Sequence, residues 1–262
     1  CMQFIGRKNS LKEIKFTHIQ KMEQELNNYQ LVITTPNKIV KEIENNPNYQ
    51  NIFNTIVLDE ADKFFELSLM NVLDSLLEIF KSNTNQWILI SATLPMEVEK
   101  SIKNVFVDQI QCIIGEKIAS LNTIDQKLIY CGNEEGKINE LQNLINNGEL
   151  GLPCLIFLQD KQRVKQVYRY LQKIGVKSSY LSGELSLEER EERLKLFDNE
   201  SVWIMVTTEV LSRGIDFQNL KSVINYDIPT SKVSYIHRVG RTGRAGKKGK
   251  SFTFFTNEDK PL

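Results

Sequence analysis

The sequence predicts an α/β protein of two domains, each built on a parallel sheet with helices covering it. Short apolar runs recur, each closed by polar or small residues, and segments of helical periodicity lie between them. Strands alternating with helices argue for parallel pairing. The chain has 262 residues, 41% hydrophobic and 25% charged, which is long enough for about two domains.

In chain order, strands are expected at Leu31 to Ile33, Thr55 to Leu58, Trp87 to Ile90, Val105 to Ile114, Leu155 to Leu158, Val202 to Val206, Val223 to Ile224 and Phe252 to Phe255. Each is a short apolar run of the kind buried in a sheet. Helices are expected at Phe64 to Phe80, Ile138 to Ile145, Lys161 to Ile174 and Ser186 to Phe197. Ser186, with Glu189 three residues later, fits an N-cap and capping box. Asn45-Asn46 and Asn146-Asn147 read as turns or helix ends. The stretch from Gly115 to Thr123 has neither period and separates two alternating blocks, which sets domains at 1–114 and 125–262 and a linker over 115–124.

Composition excludes several classes. Lys plus Arg equals Asp plus Glu at 33 each, so any nucleic-acid partner must be argued from local charge. Cys1, Cys112, Cys131 and Cys154 form no Cys-x-x-Cys pair, which argues against zinc and redox motifs and for buried or partly buried reduced thiols. No apolar run approaches the roughly 18–20 residues of a membrane span, and no start resembles a signal peptide, so an intracellular, soluble protein is expected. Cys1 in place of an initiator Met points to a chain that begins inside a longer reading frame.

In open α/β sheets ligands collect at the carboxyl ends of strands, so the residues that follow each apolar run carry most information. Asp59-Glu60-Ala61-Asp62 follows Ile56-Val57-Leu58 and places carboxylates where magnesium and a phosphate chain need them: Asp59 to hold the metal through water, Glu60 to orient an attacking water. A strand-to-helix turn capped by acid accounts for the dipeptide as well. Ser91-Ala92-Thr93 ends the next strand with hydroxyls able to bond Asp62. Thr207 to Asp216 combines a hydroxyl pair, Arg213, Gly214 and Asp216 after another strand. The segment from His237 to Lys250 carries six cations between Arg238 and Lys250 and no carboxylate after Arg238. A solvated basic loop explains the lysines. It does not explain arginines three apart interleaved with glycines that could let a phosphate approach the backbone.

At these residues the chain resembles the DEAD-box branch of superfamily 2 helicases, whose fold is two RecA-like lobes; here the first lobe is incomplete. Thr34 to Lys38 is similar to motif Ib, Asp59 to Asp62 to motif II, Ser91 to Thr93 to motif III, Leu155 to Phe157 to motif IV, Thr207 to Asp216 to motif V and His237 to Arg244 to motif VI. Order, spacing and strand-end placement agree across nearly the whole chain. The resemblance implies ATP and Mg2+ as cofactors, with Asp59 and Glu60 serving metal and water. It implies that Asp62 links to Ser91, Thr93 and His237, that Gly214 and Asp216 contact the nucleotide, and that Arg241 and Arg244 act as arginine fingers. Thr35, Pro36, Gly183, Thr207 and Arg213 are implied contacts to an RNA backbone. Lys38, Glu209, Ser212 and Ser182 depart mildly from the usual residues. The segments Val57 to Phe65, Asn225 to Ser234 and Gly249 to Leu262 look like eukaryotic helicases of small-ribosomal-subunit assembly. That likeness implies pre-rRNA and ribosome-assembly factors as partners, a nucleolar location, no membrane and a monomeric state.

The sequence contains no adenine-reading glutamine motif and no Gly-x-x-x-x-Gly-Lys-Thr loop. Gly249-Lys250-Ser251 is rejected as a substitute, because the required upstream glycine falls on Arg244 and a strand follows instead of a helix. Two functions are therefore weighed: an ATP-dependent RNA helicase that turns over ATP poorly as this chain alone, and a non-catalytic RNA- or protein-binding remnant of one.

Overall fold

The computed structural model describes residues 3–5, 31–65, 67–81, 85–113, 123–209, 217 and 219–259. The chain divides into two compact units, Cys1–Ile118 and Ala119–Leu262. Of the expected linker, residues 115–122 lie outside the described residues, while Ile124 is corrected to a buried first residue of a strand.

Unit 1 holds strands β1 (Gln3–Ile5), β2 (Leu31–Ile33), β3 (Thr55–Asp59) and β4 (Gln86–Ile90), with helices α1 (Pro36–Asn45), α2 (Leu67–Ile79) and α3 (Met96–Val105). β3 and β4 pair in parallel, whereas β1 and β2 form a separate antiparallel pair. Ile43 of α1 and Leu73 and Leu76 of α2 join Leu58, Phe64 and Phe80 in one core cluster, packed by Ile56, Trp87 and Leu89. The alternate residues Val57, Ile88 and Ile90 are exposed, so these strands bury one face. The expected strand at Val105 to Ile114 is not formed over its described residues, Val105 to Ile113: α3 ends at Val105, Phe106 packs its ring 5.5 Å from that of Trp87, and Val107, Ile110 and Ile113 are exposed.

Unit 2 is a six-stranded sheet of β5 (Ile124–Gly132), β6 (Cys154–Leu158), β7 (Ser178–Tyr180), β8 (Ile204–Thr208), β9 (Ser222–Asn225) and β10 (Gly249–Thr256), in the order β5-β10-β9-β6-β8-β7, every pair parallel. Its α-helices among the described residues are α4 (Glu134–Asn146), α5 (Lys161–Lys173), α6 (Leu187–Asp198) and α7 (Lys232–Val239). Apolar clusters lie on both faces, one with Leu141, Val164, Leu171 and Phe254, the other with Phe157, Phe197, Met205 and Val223. All five residues of β6 are buried, which is why that run reads as continuously apolar. Ser186 caps α6 with the full capping box to Glu189, and Asn46 and Asn147 are the C-caps of α1 and α4. β6 has β8 on one side and β9 on the other. The chain continues outward from β6 to the edge strand β7 and then returns through β8, β9 and β10, so the connections that leave the neighbours β6 and β9 run in opposite directions, and the carboxyl ends of these central strands are the expected place for ligands.

Candidate functional site

In unit 1 the register sets Asp59, the last residue of β3, opposite Ile90, the last of β4. The two following segments therefore leave the sheet side by side. Glu60 sits at φ 52, a left-handed conformation uncommon outside glycine. It is fixed by its N–H donating to Asp59 Oδ1 at 2.9 Å and by its carbonyl accepting the Lys63 N–H at 2.9 Å. This turn starts the 3₁₀ helix Ala61–Phe65 and sends Asp62 inward, where it is 3% exposed. Ser91 Oγ donates to Asp62 Oδ1 at 2.8 Å and Thr93 Oγ1 to Asp62 Oδ2 at 2.7 Å. Ser91 Oγ also accepts the Thr93 N–H at 3.2 Å. The structure thus brings Asp62, Ser91 and Thr93 together, with Asp62 as a buried acceptor and Asp59 left exposed at the strand end.

Among the described residues no group of three His, Cys, Asp or Glu side chains could hold a metal. Magnesium is usually held by one or two carboxylates, several waters and substrate phosphates. The exposed Asp59 carboxylate, a hard oxygen donor, fits that mode. Thr35 is the exposed N-cap of α1 and its side chain makes no capping bond; Pro36 fills the first helical position, where its missing N–H costs nothing.

In unit 2, Arg213, Gly214 and Asp216 lie outside the described residues. Thr207 requires a correction: it is fully buried and its hydroxyl donates to the Thr208 carbonyl, so it does not face a ligand. Alternation along the strand turns Thr208, the last residue of β8, partly outward instead. Gly183 is exposed after β7, and its carbonyl accepts from Arg190 Nη2 at 2.9 Å. Ser182 beside it is buried.

His237 and Arg238 end α7, and Arg241 and Arg244 follow, all but Arg238 half-buried. Arg238 is not part of a basic surface. It is 3% exposed, its Nε donates to Glu209 Oε2 at 3.1 Å, and its guanidinium lies 5.4 Å from the Phe157 ring centre. Burial pulls its pKa down, and the neighbouring Glu209 opposes this. Ser234 Oγ donates to the same Glu209 oxygen. The glycines serve packing before phosphate approach. Gly243 has φ +68, and a Cβ there would lie 2.6 Å from Ile124 Cγ1. Gly249-Lys250-Ser251 opens β10, as its rejection as a phosphate loop requires.

A cluster that the motif reading missed sits at the same strand ends. Asp227, after β9, is buried; its Oδ2 accepts the Gln159 N–H at 3.0 Å, and its Oδ1 meets Lys137 Nζ at 3.3 Å and Arg163 Nη2 at 2.8 Å. Arg238 Nη1 donates to the Asp227 carbonyl at 3.1 Å. Asp227 therefore ties the end of β6 to two helices and to the helix that precedes Arg241. The strand-end rule points to Asp227; nothing in the sequence pairs it with cations so far away.

Two family models match the chain: the DEAD/DEAH box helicase model over residues 2–101 and the helicase conserved C-terminal domain model over residues 136–246. The chain is 38% identical over 231 residues to "ATP-dependent RNA helicase ROK1" of Scheffersomyces stipitis, spanning 88% of this chain and 41% of the relative. It is 40% identical over 232 residues to the protein of the same name from Yarrowia lipolytica, spanning 88% of this chain and 42% of the relative. The chain thus spans about two fifths of the length of these relatives. Among solved structures it is similar to S. cerevisiae Dbp5 bound to RNA and ADP BeF3, with a TM-score of 0.76 and 28% identity over 88% of this chain and 60% of that one.

Proposed function

Because this chain belongs to the DEAD/DEAH-box helicases, we propose that it acts in an ATP-dependent RNA helicase, an RNA-dependent ATPase that remodels or locally unwinds RNA. The observation that carries the catalytic part is the division of labour among the carboxylates after β3. Asp62 is buried and engaged by two hydroxyls, while Asp59 and Glu60 are held at the strand end by a left-handed turn. Asp59 would hold Mg2+ through water, and Glu60 would accept and orient the attacking water near the terminal phosphate of ATP. When bound, the magnesium ion supplies charge neutralisation to the phosphates. Arg241 and Arg244 are assigned to the charge that develops on the transferred group, with Arg238 as the buried anchor of their turn. Gly214 and Asp216 are assigned to the nucleotide.

RNA is assigned to Thr35, Pro36, Gly183 and Arg213, with Thr208 in place of the buried Thr207. Support comes from the RNA-bound Dbp5 neighbour and from the exposure of Thr35 and Gly183. The further assignments are pre-rRNA as substrate, ribosome-assembly factors as partners, a monomeric state and a nucleolar location. They rest on the resemblance of Val57 to Phe65, Asn225 to Ser234 and Gly249 to Leu262 to helicases of small-subunit assembly. No helix among the described residues is long and apolar enough to cross a membrane.

These 262 residues contain no phosphate loop, so on this reading the chain alone hydrolyses ATP poorly. The test is ATP turnover with single-stranded RNA, comparing this chain with one joined to a lobe that carries the loop. Turnover is expected only in the joined chain and is expected to be lost in its Glu60→Gln variant. An unchanged rate in that variant would refute the assignment. A non-catalytic remnant has no evident use for a glutamate kept in a strained turn, which favours the enzyme.

A further inference from the structure

Helix α5 carries five cations, Lys161, Arg163, Lys165, Arg169 and Lys173, and no carboxylate, in a chain whose charges balance overall. Arg163 turns inward to Asp227. The other four stand at intervals of four residues, which sets them about 6 Å apart along the axis in a row of about 18 Å. Lys161, Arg169 and Lys173 are exposed and Lys165 is partly so.

The row begins beside the loop already assigned to RNA. Glu184, the neighbour of Gly183, bridges Lys161 at 3.2 Å and also pairs with Lys165. These two lysines, Lys165 foremost, hold its carboxyl below the usual range. Along the sheet edge next to α5, the Tyr168 and Tyr180 rings lie 4.8 Å apart, and the Arg193 guanidinium lies 4.1 Å from the Tyr180 ring centre. A cationic row with aromatic rings alongside is the surface that tracks a single-stranded phosphate backbone. An exposed bridge such as Glu184 to Lys161 is weak and can be exchanged for a phosphate.

We propose that the α5 row of Lys161, Lys165, Arg169 and Lys173 is a second RNA-binding surface that takes the phosphate backbone of a single strand continuing past Gly183. The inference rests on the RNA reading of that loop and lengthens its footprint beyond the helicase motifs. Glu184 acts as a resident competitor that the RNA displaces.

The test uses this chain in fluorescence anisotropy with labelled oligouridylates of roughly 20 and roughly 6 nucleotides, chosen to exceed and to fall within a short single-strand footprint. For the long oligonucleotide, Arg169→Gln/Lys173→Gln is expected to weaken binding about tenfold. It should also make the dependence of log affinity on log salt shallower by about 1.4, since each single-strand phosphate contact contributes about 0.7. The short oligonucleotide should bind this variant as it binds the parent chain, and Glu184→Gln should bind the long one more tightly. Unchanged affinity and slope in the double variant would overturn this inference alone, leaving the helicase reading standing. Equal displacement of RNA by polyglutamate would make the row an acidic-protein surface and overturn it as well. Failure of the parent chain to bind either RNA would remove both readings. Loss of the Glu60 effect on turnover, with RNA binding as expected, would remove only the catalytic one.

Discussion

Thr93 Oγ1 donates to Asp62 Oδ2 at 2.7 Å, joining the loops after two neighbouring strands across 31 positions of sequence. Thr93 is 4% exposed, so water does not readily replace a lost donor there. Thr93→Val is expected to destabilise unit 1 by about 1–2 kcal/mol, the cost of leaving a buried acceptor short of a partner. A double-mutant cycle with Asp62→Asn, read by urea unfolding, should give a coupling of at least about 0.5 kcal/mol. Strict additivity would mean that the bond does not contribute.

Glu60 at φ 52 holds backbone strain that a glycine would not feel. Glu60→Gly is expected to melt no lower than the parent chain, while abolishing ATP turnover in a chain that carries a phosphate loop. Thermal denaturation alongside a turnover assay separates the two effects. A clear drop in melting temperature would show that the glutamate side chain is structural.

Buried Arg238 pairs with the part-buried Glu209, and removing the guanidinium takes its cationic partner at 3.1 Å from that carboxylate and a donor from the Asp227 carbonyl. Arg238→Met is expected to cost about 3 kcal/mol, measured by chemical unfolding of the chain. Arg238→Lys should recover little of this, since a single ammonium cannot serve both the Glu209 carboxylate and the Asp227 carbonyl as the guanidinium fork does.

Gly243→Ala meets two penalties, the positive φ and the approach to Ile124 Cγ1 at 2.6 Å. Adding Ile124→Ala relieves only the second. The double variant should therefore melt above the value expected from the two single changes, though below the parent chain.

Burial pushes the Cys154 thiol from 9.0 up to about 12 and the Cys131 thiol up to about 11. The folded state thus favours the protonated thiols, while the unfolded chain releases these protons nearer 9. Their contribution to stability is complete below about pH 9 and is lost as pH rises through 11 to 12. Alkaline titration followed by circular dichroism checks this. At neutral pH a maleimide should label the exposed Cys112 in the native chain and reach Cys154 only after unfolding, as read by mass spectrometry.

Unit 2 was the more legible half, for a physical reason. Its strand β6 is buried along its whole length, so burial alone writes it as an apolar run, and β9, buried likewise, shows the same signal at Val223 and Ile224 between the polar Ser222 and Asn225. β5 is an edge strand with Asp125, Gln126, Lys127 and Leu128 all exposed, and it leaves no such signature. The run after Val105 shows the converse error, apolar residues that the fold leaves in solvent. Asp62, Ser91 and Thr93 were readable because each follows a strand, and parallel register brings such endings together. The contacts of Asp227 were not, because Lys137 and Arg163 reach it from helix faces whose approach depends on tertiary packing. Thr207, expected at an RNA backbone, lies on the buried face of β8 while Thr208 is only partly buried, and one position is the smallest step that reverses the face of a strand.

Asp125 of β5 pairs with Lys250 of β10, so among the described residues the first strand of unit 2 has its one sheet neighbour in the last strand of that sheet along the chain. A ribosome delivers them in that order, and β5 must wait unpaired until nearly the whole unit has emerged. Non-local closure of this kind is slow, and it leaves Leu128 and Tyr130 open to stray association in the meantime. During synthesis the period of greatest vulnerability therefore falls on the amino-terminal strand of the unit, although its partner strand is the one still missing.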